Sequence, residues 1–174
     1  MESQRRRRRV LISRWLLYFL ILLCAAALQS TPGFLAFGAF KPVFILAVCL
    51  AVAFQEGEFY GALFGALGGL LWDFTSGRTV GMLSICILFL CFLASVLVQL
   101  YLKPSGINFF LLNFTMGLLL LSTDFLFNDL MRGYAHALRR YLTVVMPEAL
   151  VSALLAPLIL CLVRAVSRRF SIEE

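Results

Sequence analysis

Residues 61–81 read GALFGALGGLLWDFTSGRTVG, and six of them fall four apart: Gly61, Gly65, Gly69, Asp73, Gly77 and Gly81. On a helix, a stride of four keeps residues on one slowly drifting face, so Gly61, Gly65 and Gly69 form a groove without side chains. A carboxylate, Asp73, stands at the foot of that groove, in a run otherwise made of Ala, Leu, Phe and Trp. In lipid, a glycine groove lets another backbone come close, and an acid at its end has to find a polar partner. The stretch therefore predicts a membrane-embedded helix with a packing face, filled by a helix of this chain or by a partner. Thr75-Ser76-Gly77-Arg78 reads as a loop, which makes Gly77 and Gly81 turn residues rather than groove.

The surrounding composition agrees with a membrane setting. Of 174 residues, 62% are hydrophobic and 17 are Phe, more apolar surface than a soluble domain of this length carries. The apolar runs are long, and each is bounded by charge, Pro or Gly. They predict a single all-α integral membrane domain over residues 1–174, a six-transmembrane-helix bundle with spans at about 15–31, 42–54, 59–74, 80–102, 109–127 and 144–163. A basic head over 1–14 and a tail over 164–174 flank it. Spans two and three are short against a hydrocarbon core of about 30 Å, so they are expected to form a protein-buried hairpin rather than lipid-facing rods. Pro157 inside the last span predicts a kink.

The formal net charge of +6 lies at the two ends. Arg5 to Arg9 and Arg14 outweigh Glu2 before the first span, and Arg164, Arg168 and Arg169 outweigh Glu173 and Glu174 after the last. Between them, basic and acidic residues balance. Positive flanks stay on the cytoplasmic side, so both termini are expected inside. The arginine run carries no aromatic interleaving and no soluble module, which argues against nucleic acid as a partner. It also resembles the head of a signal peptide, with Ala25-Ala26-Ala27 as a cleavage site. The apolar stretch running from Val10 is long for that, and an uncleaved signal-anchor is the reading adopted.

No residue pattern supports catalysis, a metal or a cofactor. There is no Gly-x-Ser-x-Gly, Walker loop or His-Glu-x-x-His, and few polar groups are available to line a catalytic pocket. The five cysteines all fall in apolar runs, none in a Cys-x-x-Cys pair, and read as small hydrophobes.

Two sets of polar residues stand out. Between spans five and six, Leu130, Tyr134, Leu138, Tyr141 and Leu142 fall on one helical face and Arg132, His136, Arg139 and Arg140 on the other. This predicts an interfacial amphipathic helix on the outer side, against the alternative of a basic extension of span five or six. Three acids lie within or at the edge of spans: Asp73, Asp124 and Glu148. Intramembrane acids default to a functional role; the structural alternative is that Asp73 and Glu148 cap helices or pair with arginines and that Asp124 bonds helix to helix.

These residues resemble a known family. Lys41-Pro42 opening a short span, then Gly61-x-x-x-Gly65-x-x-x-Gly69-Leu70-Leu71-Trp72-Asp73, then Ser76-Gly77 and Gly81, is similar to the rod shape-determining protein MreD family. Val151-Ser152-Ala153-Leu154-Leu155-Ala156-Pro157 and an Arg-bearing tail resemble its last span, with Ser152 a departure where the family favours Asn. The resemblance implies a non-enzymatic scaffold of the bacterial cell-elongation and peptidoglycan-synthesis machinery. It would sit in the inner membrane, binding MreC and working with MreB, RodA and RodA's transpeptidase partner. It also implies a fold like the substrate-binding subunits of energy-coupling-factor transporters. Such a vitamin-binding subunit is the alternative function, requiring a pocket with convergent polar or aromatic groups, for which Asp73, Arg78, Asn128, Asp129 and His136 are the candidates on the outer side.

Overall fold

The computed structural model describes residues 2–31, 41–76, 81–101, 105–127 and 137–169, and for residues 2–9, 137 and 138 it describes the backbone alone. All regular structure among them is helical: α1 (Glu2–Ser30), α2 (Phe44–Glu56), α3 (Glu58–Ser76), α4 (Met82–Leu100), α5 (Gly106–Phe125), α6 (Ala137–Arg140) and α7 (Met146–Arg169). A π-helical segment, Tyr141–Val145, joins α6 to α7, so the last three form one continuous helix. Four stretches are long and apolar enough to cross a membrane: Val10–Ser30, Met82–Leu100, Gly106–Phe125 and Tyr141–Arg169. The chain is a membrane protein.

The six-span expectation meets this result in part. α2 has 13 residues, hence a length of about 20 Å, too short to cross lipid alone. It forms the centre of the bundle instead, with every residue from Ile45 to Phe54 buried and α1, α3, α4, α5 and α7 packed around it. The protein-buried hairpin expected of spans two and three describes α2 but not α3. Phe59, Leu63, Leu67, Leu70 and Phe74 make an exposed apolar stripe along α3, while Gly61, Phe64, Gly65, Gly68, Gly69 and Asp73 are buried. A helix with one outward apolar face and one glycine face is shared between lipid and protein.

Contacts between helices set their directions. Gln29 on α1 bonds to Phe44 and Ile45 at the start of α2, and Tyr18 bonds to Glu56 at its end, so α1 and α2 are antiparallel. Gly61 faces Ala53 while Gly68 faces Cys49 and Ile45, which makes α2 and α3 antiparallel as well. Val43 bonds to Ser152 and Phe54 stacks under Arg164, so α2 and α7 run parallel. Helices thus alternate, and Arg14, Glu56 and Arg164 collect at one end of the bundle. Gln29, Val43, Asp73, Gly81 and Ser152 collect at the other.

At the first end Arg14 forms an ion pair with Glu56, the last residue of α2, and the Tyr18 hydroxyl donates to the same carboxylate oxygen at 2.7 Å. Tyr18 is fully buried and packs edge-on against Trp15 and Phe64. Arg14 reads in the sequence as one more flanking cation; in the fold it ties α1 to the end of α2.

The last helix departs from expectation. Its described part begins at Ala137 and runs without a break into α7, rather than ending in a separate interfacial segment before a span at 144. Pro147 has no N–H to give and its ring crowds the carbonyl four residues earlier. The wider π turn before it accommodates this, with the Met146 N–H bonding back to Tyr141. Tyr141 and Leu142, expected on one face, divide: Tyr141 packs edge-on against Phe125 and meets the Ser122 hydroxyl at 2.8 Å, whereas Leu142 is exposed. Arg132, Tyr134 and His136 lie outside the described residues, as does Gly77.

Candidate functional site

In a bilayer no water satisfies the free N–H groups at a helix start, so other helices have to. α2 shows how this chain does it. Ser152 Oγ on α7 accepts the Val43 N–H at 2.7 Å, and Gln29 Oε1 on α1 accepts those of Phe44 and Ile45 at 3.0 and 3.1 Å. Ser152 in turn donates to the Glu148 carbonyl at 2.6 Å. Ser152 therefore caps the start of α2, its hydroxyl oxygen accepting there as an amide oxygen would.

Asp73 does the same for α4. Its Oδ2 accepts the Gly81 N–H at 2.7 Å and the Ser84 N–H at 3.3 Å, while Oδ1 has no hydrogen-bond partner among the described residues. Only 1% of Asp73 is exposed. Gly81 sits at φ +99°, a left-handed conformation that side chains rarely adopt, and so turns the chain into α4. Ser84 and Ser95 on α4 donate to the Ala66 and Ala53 carbonyls at 2.8 and 2.6 Å, closing the α3–α4 and α2–α4 contacts.

The glycine face is filled by α4. A Cβ built on Gly65 would lie 2.8 Å from the Cys91 sulfur and 3.0 Å from the Ile87 carbonyl oxygen. One on Gly69 would strike the Ser84 backbone, and one on Gly61 would come within 2.6 Å of Ala53 on α2. Gly68, outside the four-residue stride, faces Cys49 on α2. α3 thus offers a glycine seam on each side, and Cys49 and Cys91 act as the small apolar residues that fit them.

At the Asp73 end the helices part around a cavity of ≈ 450 Å³. Asp124 from the last turn of α5, Arg140 from α6 and Glu148 from α7 share its wall with Lys41, Trp72 and Phe125. Sequence spacing had no means of joining Asp124 to Glu148, which are brought together by the antiparallel packing of α5 on α7. Lys41, just before α2, and Trp72, on α3, complete the wall, and nothing in the sequence marks them as site residues. Arg139, next to Arg140, is exposed. The capping alternative for Glu148 requires a helix start beside it; the helix is already continuous from Ala137, so the backbone N–H groups there are not free ends.

A family model described as rod shape-determining protein MreD matches residues 9–169. The chain belongs to the MreD family. The match covers all of the described bundle, from the start of the first apolar stretch to the end of α7, and makes this a membrane protein of rod-shape determination. MreD proteins are a shape-determining structural family, and the bonds of Asp73, Ser84, Ser95 and Ser152 in this member join helix to helix. Neither a curated protein nor a solved structure matches the chain.

Proposed function

We propose that this chain is a non-enzymatic scaffold subunit of the cell-elongation machinery in the bacterial inner membrane. It binds MreC, and through MreC works with MreB, RodA and RodA's transpeptidase partner in peptidoglycan synthesis. The observation that carries the reading is the match to a rod shape-determining family over nearly the whole chain. Capture of the full-length chain from native membranes in mild detergent is expected to bring MreC with it. A folded chain recovered without MreC overturns the reading.

The scaffold is a six-span bundle of the kind found in the substrate-binding subunits of energy-coupling-factor transporters, with α2 as a short span sheltered by the others. Both termini are cytoplasmic. Support comes from the alternating helix directions, which bring Arg14 and Arg164 to one end, and from the charge excess at the chain ends. Reporters fused at residues 1 and 174 are expected to read cytoplasmic; either one reading outside overturns this topology.

The cavity favours a second reading, a vitamin-binding transporter subunit. A rise in melting temperature of the purified chain with one member of a vitamin panel would support it over the scaffold.

A further inference from the structure

Five consecutive arginines, Arg5 to Arg9, stand on the same unbroken helix as the first apolar stretch. Val10–Ser30, at 1.5 Å per residue, is about 32 Å long, close to the thickness of a hydrocarbon core. The arginine backbone therefore rises about 2 to 8 Å beyond the hydrocarbon edge, at the depth of the lipid headgroups. A helix start is an unfavourable place for cations, because the macrodipole is positive there. Helix stability does not account for the run.

The register of α1 divides the run between two faces. Arg5, Arg9, Ile12, Leu16, Phe19 and Leu23 follow one another at steps of four and three, which is one stripe on a helix. Ile12, Leu16, Phe19 and Leu23 are all exposed, so the stripe faces lipid. Arg7 belongs to the other side. It precedes Arg14 by seven residues, about two turns, and Tyr18 and Leu22 follow Arg14 at steps of four. Arg14 pairs with Glu56, and Tyr18 and Leu22 are buried against the bundle. Arg5 and Arg9 thus head the lipid-facing stripe, and Arg7 heads the packed one.

Whatever occupies the lipid-facing stripe has to be amphiphilic. Its apolar side chains take acyl chains, and the two cations above them take an anion at headgroup depth. A soluble acidic protein supplies the anion without the chains. A zwitterionic phospholipid supplies both but carries its own ammonium beside the phosphate, and a net-anionic one has no such competitor. Arginine also suits phosphate better than lysine does, through paired hydrogen bonds. Arg169, exposed in the last turn of α7 at the same end of the bundle, adds to the attraction.

We propose that this stripe of α1 is a binding site for net-anionic phospholipid, with the phosphate at Arg5 and Arg9 and the acyl chains along Ile12 and Leu16. The site depends neither on the cavity nor on MreC.

The test is calorimetric titration of the purified full-length chain in detergent with short-chain phosphatidylglycerol and with phosphatidylcholine of the same chain length. Saturable binding of the glycerol lipid about tenfold tighter is expected, and added salt should narrow the gap. Arg5→Gln combined with Arg9→Gln should bring the preference below about threefold, while Arg7→Gln leaves it intact, with melting curves unchanged in both. Should the double variant unfold, the two lipids on the unaltered chain and on Arg7→Gln still decide. Equal binding of the two lipids overturns the proposal. So does a loss in Arg7→Gln as large as in the double variant, since charge would then act without a face. A soluble oligoglutamate peptide that displaces the lipid and binds more tightly assigns the run to an acidic protein, which overturns it as well.

Discussion

Gly69→Ala is expected to destabilise the purified chain by about 3 kcal/mol, the upper end for overpacking a tight interface. For a chain of this size that is on the order of 10 °C in melting temperature. The reason is what the new methyl meets: the Ser84 Cα and N and, at 2.9 Å, the Leu83 carbonyl oxygen, all backbone atoms of α4. No rotamer change relieves such a contact, so α3 and α4 must separate along their whole seam. Gly65→Ala meets a cysteine side chain as well as a carbonyl oxygen and should cost less, though a full tolerance, natural to expect of so small a change, is ruled out by the 3.0 Å approach to Ile87. Gly65→Leu should fail to fold. Two other glycines serve as controls. Gly106 has open space around it, so Gly106→Ala should be neutral or slightly stabilising. Gly81 also has open space but sits at φ +99°, so Gly81→Ala should cost about 1 kcal/mol from backbone strain alone. If Gly69→Ala melts with Gly106→Ala, close approach of α4 is not what the glycines provide.

Asp73→Leu is expected to cost about 4 kcal/mol, because two N–H groups, that of Gly81, part-buried, and that of Ser84, buried, lose their acceptor. Asp73→Asn should cost about 1 kcal/mol or less, since an amide oxygen in the place of Oδ2 accepts both bonds. Its NH₂ then takes the place of Oδ1, which has no partner among the described residues. The pair separates two roles for the same carboxylate. If Asp73 is a cap, the Asn variant restores rod shape to cells lacking the native protein and melts near the parent, while the Leu variant does neither. If the acid itself is needed, as for proton or ion handling, the Asn variant melts normally and fails to restore shape. That result would sink the capping account.

Much of this architecture was legible in the sequence because membranes impose strong, local constraints. Helix existence follows from apolar length, and a seam without side chains follows from glycines at a helical stride. The hidden parts were those that depend on who faces whom. Gln29 and Ser152 are unremarkable polar residues near span ends until α1 and α7 bring them to the start of α2. Arg14 looks like a topological flank until Glu56 meets it. Gly68 breaks the stride, so the spacing does not mark it, although it packs as closely as its neighbours.

Residue order alone is enough to read that the chain lives in lipid, is helical, has a glycine seam ending in an acid, and resembles MreD, because burial in lipid requires each segment to satisfy its own backbone along its own length. That α4 fills the seam, that Asp73 caps α4, that the short α2 is the core, and that Asp124, Arg140 and Glu148 share one cavity all follow from how the helices pack. Those outcomes depend on contacts between residues far apart in the chain. A helical period assigns a residue to a face, and nothing in a period says which helix that face will meet.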